Sequence, residues 1–117
     1  MSLIPPPPSK IKEVRNISNM DKQRIYDYLQ GAIYSWCKNR PDEWFSIKDL
    51  LGGDNFDWNG TPLIVLYQKH ISRGKIYDKA VTAAGIDAGW IAKKVMNDDT
   101  RKFETKAGYV RSYKWKK

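Results

Sequence analysis

The chain has 117 residues, 41% hydrophobic and 13% aromatic, enough for one compact domain with one core and too apolar for global disorder. A single cysteine excludes an intrachain disulfide and a cysteine-based metal site, and fits a reducing, cytoplasmic setting. The net charge is +8 and is unevenly spread: residues 101–117 carry seven Lys or Arg against one acid, whereas the first hundred carry fourteen against twelve, so the C-terminal end is expected to attract polyanions.

No apolar run approaches the ~20 residues of a membrane span, so no membrane partner is expected. No signal peptide is expected either, because prolines follow a two-residue apolar start. Pro5 to Pro8 favour an extended segment and exclude a helix, and residues 1–17 read as a flexible arm.

The spacing then predicts a helix from Ser18 to Asn39. Ser18 and Asp21 have capping-box spacing, Pro41 marks the end, and Ile25, Leu29, Ala32, Ile33 and Trp36 share one face. That face would pack on the rest of the chain or pair with a second copy in a homodimer. Trp44-Phe45 is a brief strand-like piece. Ser46 to Leu51 is a short helix capped by Ser46, with Asp49 at its third position, and stopped by Gly52-Gly53. Residues 18–60 thus read as a helical region packing on the same core.

Residues 52–60 form a loop pinned by Phe56 and Trp58. Asn55, Asp57, Asn59 and Gly60 follow a calcium-loop pattern, but the twelfth position is Leu66 where a bidentate Glu is needed, so they read as turn residues. Thr61 to Arg73 is predicted as a helix, with Thr61 as cap, Pro62 in the first position and Gly74 as terminator. Leu63, Leu66, Tyr67, His70 and Ile71 lie on one face. Lys75-Ile76-Tyr77 is expected as a strand. A short helix over 78–84, with Ile76, Ala80, Val81 and Ala84 facing inward, is expected to end at Gly85. Asp87 would cap a second helix over 88–98 that buries Ile91, Val95 and Ala92. Arg101 to Trp115 alternates as a β-hairpin turning around Lys106-Ala107-Gly108, with Tyr113 and Trp115 as core members.

Two short helices joined by a glycine turn and followed by a basic hairpin resemble the winged helix-turn-helix superfamily of DNA-binding domains. The resemblance rests on Ala80, Ala84, Gly85, Ile86, Ile91 and Val95, then on the hairpin from Arg101-Lys102-Phe103 to Tyr113-Lys114-Trp115. The expected fold is mainly α with a small β-hairpin: a winged unit over 61–117 preceded by an N-terminal helical extension. The resemblance implies a non-enzymatic protein that binds duplex DNA, as a transcriptional regulator or a mobile-element factor. It implies that helix 88–98 enters the major groove with Ala88, Gly89, Trp90, Lys93, Lys94 and Asn97 outward, Trp90 being a core cap or a surface aromatic. Wing residues Arg101, Lys102, Lys106 and Arg111 would meet the phosphate backbone, with Lys114 in the cationic extension.

Three other readings stay open. A winged helix can dock proteins rather than DNA. Arg111 between Tyr109 and Tyr113 would suit single-stranded DNA or RNA. Asp98 or Asp99 with Glu104 and Lys106 superficially matches a metal-dependent nuclease, although the five- or six-residue gap is short for carboxylates from different strands. His70 and Cys37 read as structural. No phosphate loop or Ser/His/Asp arrangement is evident, and no cofactor, metal or small-molecule ligand is expected.

Overall fold

The computed structural model describes residues 11–51, 57–99, 102–106 and 112–116. Ser18 takes an extended conformation, and its side-chain oxygen accepts from the Asp21 N–H at 3.0 Å. That bond satisfies one orphan donor and starts α1 (Asn19–Asn39). Ile25, Leu29, Ile33 and Cys37 follow on one side and are at most 1% exposed. Each of the three aliphatic side chains contributes about 1.5–3 kcal/mol by burial, before ordering entropy is subtracted. The apolar face of α1 is therefore used within this chain. Trp36 is only partly buried; it tilts against Phe45 at 5.6 Å between ring centroids and carries the Arg40 guanidinium 4.9 Å from its own centroid.

The chain then enters β1 (Phe45–Ser46) and α2 (Ile47–Leu50). The predicted capping box is present: the Asp49 N–H donates to Ser46 Oγ at 3.1 Å, and the Ser46 N–H donates to Asp49 Oδ2 at 2.9 Å. Gly52, Gly53 and Phe56 lie outside the described residues. Trp58 is buried.

Next, α3 (Ile64–Ser72) begins two residues later than the spacing of Thr61 and Pro62 predicts. Thr61 Oγ1 accepts from the Leu63 N–H at 3.2 Å, but the first bonds run Ile64 to Thr61 and Leu66 to Leu63, three residues apart. The entry is a tight turn that relaxes into α-helix. The end is as predicted. Gly74 has φ +91°, its N–H donates to Ile71 O at 3.0 Å, and the Lys75 N–H donates to His70 O at 3.1 Å. Together these form a Schellman stop.

Residues 77–98 form one continuous helix, α4 (Tyr77–Asp98), where two helices separated by a turn at 85–87 were expected. Among the described residues only Gly60 and Gly74 are glycines with positive φ, so Gly85 stays helical. A glycine inside a helix costs only about 1 kcal/mol against alanine. The surrounding packing outweighs it: Ala80, Ala84, Ala88 and Ala92, one turn apart, are all 0% exposed. Asp87 does not cap a helix; its carboxylate bonds α3. Ala88, expected to face outward, is buried for the same reason. Lys75-Ile76-Tyr77 is not a strand: Ile76 is the N-cap of α4 and is 68% exposed. The short connection 73–76, with Gly74 at positive φ, therefore joins α3 directly to the long helix α4.

Antiparallel strands β2 (Lys102–Lys106) and β3 (Ser112–Lys116) complete a three-stranded sheet in the order β1-β3-β2. The third strand is thus supplied by Phe45–Ser46, ahead of the helix pair. Phe45 opposes Tyr113, and Phe103 opposes Trp115. Phe45 and Tyr113 are buried, and Phe103 and Trp115 pack against the same core. The residues between them, Trp44, Lys114, Glu104, Ser112 and Lys106, fall on the other face of the sheet. The hairpin turn at 107–111 lies outside the described residues.

Of the arm expected over 1–17, residues 11–17 lie against the body. Val14 is 5% exposed within the core cluster, and the Lys69 ammonium donates to Arg15 O at 2.9 Å. Apolar burial of Val14 is what holds the segment down. The fold is mainly helical with a small three-stranded antiparallel sheet.

Opposite signs are expected at two glycines. A Cβ at Gly85 or Gly74 meets nothing within 4 Å, so only backbone preference decides. Gly85→Ala should stabilise by about 0.5–1 kcal/mol, because α4 is continuous there. Gly74→Ala should destabilise by about 1–2 kcal/mol, because it forces a side chain into the left-handed region. Urea midpoints measure both. A loss at Gly85→Ala comparable to that at Gly74→Ala would mean the helix breaks at 85.

Candidate nucleic-acid interface

The solvent side of α4 follows from its buried side. With Ala80, Ala84, Ala88, Ile91, Ala92 and Val95 inward, the 100° step puts Lys79, Thr82, Ile86, Lys93 and Asn97 outward. Lys79, Thr82 and Asn97 are exposed, and Ile86 is 57% exposed. No side chain caps the N-terminus of α4. The turn leading into it carries Arg73 and Lys75, both exposed. Lys75 and Lys79 thus bracket a helix end whose own dipole is positive, a setting that favours anionic oxygens.

The orientation of α4 on α3 is fixed by charge as well as packing. Asp87 Oδ2 lies 2.7 Å from Lys69 Nζ and 2.7 Å from His70 Nε2, and the three side chains are 17%, 8% and 12% exposed. Lys69 and His70 are adjacent on α3, so one carboxylate on α4 bolts the two helices together. His70, read from sequence as a core or boundary residue, therefore has a defined partner.

The expected interface residues divide into separate groups. Trp90 is half-buried against the core, with Lys93 Nζ 5.1 Å and Lys12 Nζ 5.6 Å from its ring centroid. Lys94 pairs with Asp98 at 3.2 Å, and the Tyr26 hydroxyl donates to the same Asp98 oxygen at 3.1 Å. Burial, then the bond to Asp98, pushes the Tyr26 phenol above its ordinary pKa. Nearby, the Lys22 ammonium donates to Glu13 and holds its carboxyl below the ordinary range. Asn97 is exposed at the C-terminal end of α4.

On the sheet, Lys106 and Lys114 approach Trp44, with Nζ atoms 4.7 and 5.3 Å from its ring centroid. Lys114 also lies 3.8 Å from the Glu104 carboxylate. Asp98 and Glu104, paired in the nuclease reading, thus serve separate partners. Arg101 and Arg111 lie outside the described residues, as does the side chain of Lys102. Among the described residues no helix is long and apolar enough to cross a membrane, and no three His, Cys, Asp or Glu side chains group as a metal set.

Two groups were not visible in the sequence. Arg73, Lys75, Lys79 and Thr82 were missed because the expected helix pair lies across Gly85 instead of across Gly74. The available signal was the glycine itself: both were candidate stops, and only Gly74 closes a segment punctuated at its start by Thr61 and Pro62. Trp44 was missed because its lysines come from strands about sixty residues later.

Replacing Asp87 by Asn should leave the Lys69 ammonium nearly buried without its counter-charge and cost about 3 kcal/mol of stability. Lys94→Gln, which removes an exposed pair, should cost less than about 0.5 kcal/mol. Denaturant unfolding of the two variants compares them directly; equal losses would show that Asp87 bears no special load. No family model, curated protein or solved structure matches this chain.

Proposed function

We propose that the chain is a winged helix-turn-helix protein that binds duplex DNA, in the control of transcription or in the biology of a mobile element. The observation that carries the reading is the α3–Gly74–α4 pair followed at once by a cationic hairpin. A two-helix unit with a short glycine turn presents its second helix to the major groove, and a basic hairpin beside it meets the backbone. The entering surface is the turn and first half of α4, with Arg73, Lys75, Lys79 and Thr82. Lys93 and Asn97 extend it along the helix, and Arg101, Lys102, Lys106, Arg111 and Lys114 supply the wing.

The chemistry of that surface favours phosphate contact over base reading. Lys75 and Lys79 are compact point charges, and Ile86 offers an apolar contact for a thymine methyl but no hydrogen bond. Modest sequence preference on strong electrostatic attraction is the expected behaviour, with non-specific affinities of about 1–100 μM at physiological salt.

A second reading, docking of a protein, draws on one observation. Ile71, Ile76 and Tyr77 around the same turn are 39%, 68% and 58% exposed. The two readings differ in salt dependence. Fluorescence anisotropy with a blunt duplex at two salt concentrations should show binding that weakens steeply as salt rises. Lys75→Ala/Lys79→Ala should reduce the log–log salt slope by about 1.8, two phosphate contacts of about 0.9 each. Binding indifferent to salt and to these lysines would overturn the DNA reading and direct attention to the apolar turn.

A further inference from the structure

Trp44 is out of place for a structural tryptophan. Of the five tryptophans, Trp58 is buried and Trp36, Trp90 and Trp115 pack against the core. Among the described residues, Trp44 alone of the five belongs to neither set. It lies one residue before β1, on the sheet face turned away from Phe45 and Tyr113. Continuing the register sets it beside Lys114, and Lys106 stands opposite Ser112 on the next strand. Their ammonium groups converge on the indole, 5.3 and 4.7 Å from its centroid. The segment before β1 and the β2–β3 hairpin, far apart in sequence, thus set two cations beside one aromatic ring, and Ser112 adds a hydroxyl on the same face.

We infer that Trp44, Lys106 and Lys114 form a second nucleic-acid site that takes an unpaired base and its flanking phosphates. The inference rests on the nucleic-acid reading above and adds to it a single-stranded segment next to the duplex. Trp44 is half-buried, and the part of its indole left outside the core is a stacking surface for any base, since every base has a π-face. The cation–π contacts of the two lysines with the ring are weak and non-covalent, so the ammonium groups can leave it for a phosphate. When a base stacks on Trp44, the ammonium groups turn to the phosphates on either side of it. Glu104, 3.8 Å from Lys114, opposes this and limits affinity while the site is empty. The site reads no sequence: it distinguishes unpaired from paired nucleic acid, because only an unpaired base exposes its face. It lies on the sheet, apart from the α4 surface that meets duplex, and it turns two of the wing lysines, Lys106 and Lys114, to the single strand where one is present.

The test compares a blunt duplex, the same duplex with a single-stranded tail of about 8 nucleotides, and the tail alone, by anisotropy across salt concentrations. For the wild type the tail should raise duplex affinity at least tenfold. Trp44→Ala should abolish that gain and leave blunt-duplex affinity unchanged, and Trp44→Phe should retain most of it. Lys106→Gln/Lys114→Gln should lower the salt slope on the tail alone by about 1.4, two single-strand phosphates of about 0.7 each. Glu104→Gln should tighten binding of the tail. If the tailed-to-blunt ratio is the same in wild type and Trp44→Ala, whether or not both affinities fall, the inference is overturned. Failure of the two readings is separable. Binding of the tail but not of blunt duplex would remove the α4 reading and keep this site, and binding of blunt duplex with no gain from the tail would do the reverse.

Discussion

The close approach of α4 to α3 and α1 is the constraint on which the rest of the molecule depends. It is made possible by alanines at 80, 84, 88 and 92, each fully buried, which let helix backbones come near without a gap. On that ridge sit the longer apolar side chains Ile91 and Val95, opposite Ile25, Leu29, Ile33 and Leu66 in one core. The Asp87 carboxylate, held by Lys69 and His70 at 2.7 Å each, ties the same register electrostatically. A partly buried charge needs its partners, so other registers of α4 on α3 would strand Lys69.

Once α4 is fixed, two surfaces follow. Its outer side carries Lys79, Thr82, Lys93 and Asn97, and the turn before it carries Arg73 and Lys75. Its C-terminal end delivers the chain to β2, and Asp98 there is tied back to α1 by Tyr26. The sheet closes on the core through Phe45, Tyr113, Phe103 and Trp115, which leaves the opposite face to Trp44 and the lysines of β2 and β3. The pleat separates the two roles: successive side chains point to opposite faces, so one strand can both seal the core and present charge.

Local rules were legible wherever a few neighbouring residues decide the outcome. Ser18 and Ser46 cap as their spacing implies, Gly74 stops α3, and the alternation of β3 sorts Tyr113 and Trp115 from Lys114. The same rules failed at Gly85 and Asp87, which have the composition of a helix stop and a cap. Glycine lowers the intrinsic stability of a helix without forbidding it, and tertiary burial on both sides of residue 85 was worth more than the local preference. The strand at 75–77 failed for a related reason. Extended apolar residues mark a possible strand, but the partner is chosen by where β3 lies, and β3 lies beside Phe45.

The sequence by itself determined the helical majority, the basic hairpin, the bounds of α1 and the end of α3, because caps, prolines and positive-φ glycines act within a few residues. It also determined where the excess charge sits, since that is a count. Only the tertiary structure decided that residues 77–98 are one helix, that Asp87 joins Lys69 and His70, and that Trp44 meets Lys106 and Lys114. Each of these depends on groups about 10 to 70 residues apart, brought together by the shared burial of a core that no local window contains.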